Sequence, residues 1–254
     1  MSLLTEPFTG TNGDPWPTGT WTAGTGTSTI QSNKGRLESP ATAFATGNVI
    51  LNSSVWGAGQ GGNFDLYTEA TLVSTIGSDD ALTFTFCQSG GDFYAVVLLT
   101  GADLVWLRSF TGYSGTTQAS SAFTFTDGDI VKVRLVKNGG VISAFVWVSG
   151  SQPGTPTVTW TDGSPYTADY LRLELTNSND TVAAVVDFDN LTIDAVGGGV
   201  TITGQTATLA LTAIAGVLTG GTPGAITIPG QTATLTLTAT AGVLSGGSAE
   251  IGRA

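Results

Sequence analysis

The chain has 254 residues, 36 of them glycine, with a single cysteine, a single methionine and no histidine, and its acids outnumber its bases 19 to 8 for a net charge of −11. Lack of histidine excludes a Ser-His-Asp triad, an imidazole base and His-ligated zinc, and Cys87 alone can form neither an internal disulfide nor a thiolate cluster. The acidic balance argues against nucleic acid and anionic membrane as partners, since both are polyanions.

Mean hydropathy is +0.22, yet no apolar run reaches the ~18 residues of a membrane-spanning helix. Threonine, serine and glycine interrupt the apolar residues throughout. Met1 to Pro7 (MSLLTEP) lacks a basic stretch followed by an apolar core, so a cleavable secretory signal is not expected. Phe8-Thr9-Gly10 opens a Gly/Pro-rich stretch that reaches Trp21, and Trp16 lies within it in Asp14-Pro15-Trp16-Pro17, a loop too rigid for a strand. Asn33-Lys34-Gly35-Arg36-Leu37 reads as a hairpin, and Trp56 precedes a Gly-rich turn.

From Phe64 the chain alternates at period two. Phe64, Leu66, Thr68, Ala70 and Leu72 share one strand face, with Asp65, Tyr67 and Glu69 opposite. Val131, Val133 and Leu135 face inward against Lys132 and Arg134, and Leu171, Leu173 and Leu175 against Arg172 and Glu174. Phe93–Leu99 and Val141–Val148 are apolar on both faces, which predicts central strands between two layers, and Trp106 and Trp147 are expected in the core. Trp21 and Trp160 are left unassigned. Ser89-Gly90-Gly91, Asp127-Gly128-Asp129 and Asn138-Gly139-Gly140 are turn signals. Near the end of this series Ala184, Val186 and Phe188 give way to Leu191 and Ile193, a parity shift that predicts a bulge at Asp189-Asn190 and leaves Asp187 and Asp189 facing solvent. No segment keeps a helical period. Many short strands imply an all-β antiparallel sandwich.

The strand order resembles the concanavalin A-like, laminin-G-like jelly roll. Phe8-Thr9-Gly10, the 33–37 hairpin, Asn63-Phe64-Asp65, Gly-Asp-Phe-Tyr (91–94) and the closing Asp187-Phe188-Asp189-Asn190-Leu191 carry the resemblance over residues 1–196. It implies two curved antiparallel sheets, a scaffold shared by lectins, glucanases and non-catalytic recognition modules. Catalytic members of that family are similar in carrying a Glu-x-Asp-x-x-Glu cluster on one strand. This chain has none, so no catalytic residue is assigned and glycoside hydrolysis stands only as a third alternative. Sugar recognition would need flat rings at the surface; the loop residues Trp16, Trp56 and Tyr113 are the candidates, and packing over the end of the sandwich is the competing role for the two tryptophans. Cys87 has no neighbouring base. No cofactor is implied, although the turns holding Asp79-Asp80 and Asp127-Gly128-Asp129 could hold calcium or simply be turns.

Composition changes at Gly197-Gly198-Gly199, which divides residues 1–196 from residues 197–254. All 22 aromatic residues lie at or before Phe188, and residues 195–249 carry no charge. This tail contains a repeat. Thr201–Gly221 and Thr227–Gly247 are offset by 26 residues and identical at 17 of 21 positions. Threonines alternate with Leu209 and Leu211 in one copy and with Leu235 and Leu237 in the other; Val217, Leu218, Val243 and Leu244 follow. An uncharged alternating strand exposes a hazardous edge unless something pairs with it, so these eight residues are the expected oligomerisation or anchoring surface.

A jelly roll joined to Thr/Ala/Gly-rich β-repeats, with Phe8-Thr9-Gly10-Thr11-Asn12-Gly13-Asp14 at its start, resembles structural proteins of tailed-bacteriophage virions, such as minor tail proteins and head decorations. That resemblance implies a non-enzymatic protein located in the virion after synthesis in the host cytoplasm. Its partners would be other virion proteins and copies of itself in a homo-oligomer, with a trimer as the expected symmetry. The alternative is a carbohydrate-binding module that recognises a cell-surface glycan.

Overall fold

The computed structural model describes residues 2–56, 60–73, 80–178 and 182–196, together with the backbone of 208–214 and 234–240. By internal contacts the chain divides into Met1–Val196 and Gly197–Ala254. The first unit starts with strands β1 (Ser2–Glu6), β2 (Trp21–Ala23), β3 (Thr27–Gln31), β4 (Lys34–Ser39) and β5 (Ala45–Leu51). Next come β6 (Phe64–Leu72), β7 (Ala81–Ser89), β8 (Asp92–Leu99), β9 (Leu104–Thr111) and β10 (Ser114–Ala122). β11 (Ile130–Asn138), β12 (Val141–Trp147), β13 (Val158–Thr161), β14 (Leu171–Asn177) and β15 (Ala184–Asp194) complete it.

These strands form two antiparallel sheets, a β-sandwich of the expected class. One sheet runs β13-β12-β11-β6-β15-β4-β3, with β1 added on β15; the other runs β10-β9-β8-β7-β14-β5-β2. The alternation in sequence becomes the two faces of each strand. On β6 Phe64, Leu66, Thr68, Ala70 and Leu72 are buried, and on β14 Leu171, Leu173 and Leu175 are buried while the residues between them are partly exposed. Rings meet between the layers, Phe64 of one sheet lying edge-on to Phe86 of the other at 5.5 Å, and within the second sheet Phe86 meets Tyr94 at 5.5 Å. Each fully buried Leu, Val or Phe contributes about 1.5–3 kcal/mol, which makes this shared layer the main source of stability.

The turns follow their residues. β3 and β4 are joined by Ser32-Asn33, both at positive φ (52° and 59°), the backbone of a two-residue hairpin turn. Gly139-Gly140 closes β11 onto β12 in another two-residue turn, with Gly139 at φ 58°. The predicted bulge is present: the β15–β6 register shifts between Asp189 and Thr192, Asn190 has φ 49°, and Leu191 and Ile193 are buried. Asp189 Oδ1 accepts the Asn190 amide at 2.8 Å, and Thr68 donates to the Asp189 carbonyl.

Three expectations need correction. Asp187 does not face solvent; it is 9% exposed, because the Arg36 guanidinium lies over it in a two-pronged ion pair at 2.7 and 2.9 Å. β12 has one buried and one outward face, with Val141 exposed, because it lies one strand from the sheet edge. Trp147 is buried, but on the outer face of its sheet, 6.0 Å from the Tyr67 ring.

In the second unit, β16 (Thr208–Ile214) and β17 (Thr234–Thr240) pair in parallel. Leu209 aligns with Leu235 and Leu211 with Leu237. Val217, Leu218, Val243 and Leu244 lie outside the described residues.

Candidate functional site

The outer face of the seven-stranded sheet is built by residues that alternate with its core. Val105 and Leu107 of β9 are fully buried in the sandwich, so Trp106, Arg108 and Phe110 must point the other way. On β14, Leu171, Leu173 and Leu175 send Arg172, Glu174 and Thr176 outward. Between these two strands lie β8 and β7, whose outward residues include Ala95, Val97, Thr83 and Thr85. The result is a trough of about 340 Å³ with a floor of small side chains.

Register sets the walls opposite one another. Arg108, Ala95, Thr85 and Arg172 form one row across four strands, and Trp106, Val97, Thr83 and Glu174 form the next. Each row spans three inter-strand steps, about 14 Å. One end of the trough is closed by Phe93 stacked on Phe110, with ring centroids 4.2 Å apart and planes 12° from parallel.

The electrostatics of the two outer faces differ. On the eight-stranded sheet every described arginine has a carboxylate: Arg36 grips Asp187, and Arg134 grips Asp65 at 2.9 and 2.6 Å. Those bonds raise the pKa of each guanidinium above its usual value. In the trough, Arg172 Nη2 makes a single contact with Glu174 Oε2 at 3.3 Å. Among the described residues Arg108 has no carboxylate partner. Its Nη2 donates to the Gly115 carbonyl at 3.4 Å, and its guanidinium carbon lies 4.9 Å from the Phe110 centroid and 5.7 Å from that of Trp106. The buried Nε of both Arg108 and Arg172 lacks a hydrogen-bond partner. Arg172 thus keeps a counter-ion at one point, whereas Arg108 is partly removed from water with only a carbonyl and two rings beside it, which is costly for a charged group.

Of the three aromatic candidates, the fold brings one near this trough. Tyr113 sits at the tip of the β9–β10 hairpin, 70% exposed, at φ 67°, with its ring 6.5 Å from Phe93. Trp16 and Trp56 are 2% and 1% exposed and present no ring to solvent. Trp16 is drawn inward because its Nε1 donates to the Thr29 and Arg36 carbonyls, both at 3.1 Å, and its ring packs on Phe8, Trp21 and Phe188. Trp56 packs edge-on against Phe64. Conversely Trp106, expected in the core, lines the trough. Sequence reading missed Trp106, Arg108 and Phe110 together, although the parity of Val105 and Leu107 held the signal.

Among the described residues, the carboxylates of the two candidate calcium turns make hydrogen bonds within the protein. Asp80 is buried and accepts from the Ser178 amide and hydroxyl, Asp129 caps its own turn by accepting from the Thr126 amide at 2.9 Å, and Asp79 lies outside the described residues. Among the described residues no group of three or more Cys, Asp or Glu side chains could hold a metal. Cys87 is buried, and burial pushes its thiol up to about 12, far from a nucleophile's range.

No family model matches the chain, and no curated protein does. Solved structures match the sandwich. A carbohydrate-binding module, CBM66 from Bacillus subtilis, is similar with a TM-score of 0.51 and 15% identity, covering 68% of this chain and 94% of that one. The exoplasmic/lumenal domain of VIP36, in a form bound to calcium and Man3GlcNAc, gives 0.57 at 13% identity, covering 76% and 87%. An endo-1,3-beta-glucanase from Streptomyces sioyaensis gives 0.51 at 13% identity, covering 76% and 95%. At such identities the likeness is one of fold, the lectin-like jelly roll.

Proposed function

We propose that this chain is a carbohydrate-binding module and that the trough on the seven-stranded sheet is its binding surface. The observation that carries the reading is the row of outward side chains Trp106, Arg108 and Phe110 facing Arg172 and Glu174 across a floor of alanine, valine and threonine. An aromatic ring covers the apolar face of a sugar, while a guanidinium and a carboxylate donate to and accept from its hydroxyls. The solved structures of similar fold include a carbohydrate-binding module and the exoplasmic/lumenal domain of VIP36 in a form bound to calcium and Man3GlcNAc, which supports the reading. Two-carboxylate hydrolysis would need a second acid near Glu174, and Glu174 is the single acid of the lining; this favours binding over turnover. A glycan array tests it. The intact protein is expected to bind a defined set of saccharides, and Trp106→Ala to lose at least tenfold in affinity; an array without signal, or an unaffected variant, would overturn the assignment.

A second reading rests on the tail. β16 and β17 pair at an offset of 26 residues, which is the period of the repeat. Parallel stacking of repeats in register leaves an open edge on each outer strand. We infer that copies of the chain associate through these repeats, with Leu209, Leu211, Leu235 and Leu237 among the contacts, and that the module is displayed on an assembly of virion type, a homotrimer being the symmetry proposed. The repeat supports this reading; the structural likenesses do not bear on it.

A further inference from the structure

We propose that the ligand of the trough is an acidic saccharide of the hexuronate class, with Arg108 as the seat of its carboxylate and the Arg172–Glu174 pair as the seat of neighbouring hydroxyls. This rests on the carbohydrate-binding reading and narrows it.

The protein carries a net charge of −11, so its arginines have many carboxylates to choose from. Arg36 and Arg134 each take one in a two-pronged pair. Among the described residues Arg108 takes none. It is held instead by the faces of Phe110 and Trp106, and its one hydrogen bond is a long contact to a backbone carbonyl. Cation–π contacts of this kind act on the face of the guanidinium, whereas its N–H donors lie at its rim, where a planar carboxylate binds through parallel N–H···O bonds. The acidic surface of the rest of the molecule would repel a polyanion at long range. Recognition must then be local, which suits a single anion seat rather than a basic patch.

The opposite wall is different. Arg172 already contacts Glu174, so that wall offers donors and acceptors side by side with no net charge. A second carboxylate placed there would meet Glu174, whereas a sugar diol would satisfy both groups. The register places Arg108 and Arg172 in one row with only Ala95 and Thr85 between them. One saccharide chain lying along the floor therefore touches both walls.

The experiment uses the full chain and a panel of hexuronate oligomers (galacturonate, glucuronate, mannuronate and guluronate), each paired with its uncharged methyl ester, in calorimetric titrations. At least one acid is expected to bind ten times or more tighter than its ester, with an affinity that falls as salt rises. Arg108→Gln should remove that preference, lowering affinity for the acid about tenfold or more and by distinctly more than for the ester. An unchanged thermal-unfolding midpoint shows that the variant is folded, and Arg108→Lys should restore part of the preference because charge returns without the fork. Trp106→Ala should weaken acid and ester alike. If esters or neutral glycans bind as well as the acids, or Arg108→Gln leaves the preference intact, the anion seat is refuted while carbohydrate binding stands. If nothing on the panel or the glycan array binds, both readings fall.

Discussion

Lys137 ends the inward series of β11, after Val131, Val133 and Leu135, and is 0% exposed with no hydrogen-bond partner for its Nζ. Burial lowers its pKa from 10.5, opposed by the fields of Cys87, Asp162 and Asp169. A lysine whose folded pKa is lowered binds its proton more tightly in the unfolded chain, so its effect on stability improves as pH rises towards 10.5. Cys87 works the other way: the unfolded thiol ionises from about pH 9.0 while the folded one, pushed up to about 12, does not, and stability falls. Lys137→Met is expected to raise stability at pH 7 by on the order of 1–4 kcal/mol and to leave only the alkaline fall. Urea denaturation from pH 7 to 11 reads both effects; a variant weaker than the parent at pH 7 would refute the account. The inward series was legible in the sequence as far as Leu135. Lys137 was not, because a lysine at that parity is read as the start of the turn, and only the neighbouring layer shows that it is covered.

At the scale of elements, strand faces were written in the sequence and bulges only partly. The shift from Phe188 to Leu191 could be read because large apolar residues stand on both sides of it. The bulge at Cys87 could not. There the β7–β8 register shifts between Phe86 and Ser89, and Cys87 adopts φ 56°, yet a small residue beside Phe86 gives no parity signal. Asn190, at φ 49°, tolerates the left-handed region and bonds Glu69 Oε2 at 3.2 Å. Asn190→Val is therefore expected to cost about 1–2 kcal/mol or more, and Asn190→Gly distinctly less, since glycine enters that region without strain. Thermal unfolding of the two variants side by side decides it. Equal losses would mean that the Glu69 bond, not backbone conformation, is what asparagine supplies.

On the scale of the whole molecule, the 18 acids and 7 bases of the first 194 residues hold all of the net charge, and the tail is neutral with one of each. An uncharged repeat can stack on copies of itself without repulsion. Light scattering of the full chain at micromolar concentration is expected to give a multiple of the protomer mass, and a chain ended after Val196 to be monomeric while keeping its saccharide binding. A monomeric full chain would refute assembly through the repeats. Loss of binding on truncation would show that the tail takes part in the trough's function.

The sequence by itself determined the β-sandwich, the Asp189-Asn190 bulge and the 26-residue repeat. Each is a periodic property of local side-chain pattern, and a strand's two faces are fixed by alternation alone. Which face of which sheet bears the candidate site was decided only by the tertiary structure. Trp16 and Trp56 stand in Gly/Pro-rich loops where the sequence allows either a surface ring or packing over the end of the sandwich, and the fold turns both into the core. Trp106 and Arg108 stand in a strand that reads as covered, and among the described residues of the first unit both are left partly exposed. Whether a side chain meets solvent or another sheet depends on strands distant in sequence, and local pattern holds no record of them.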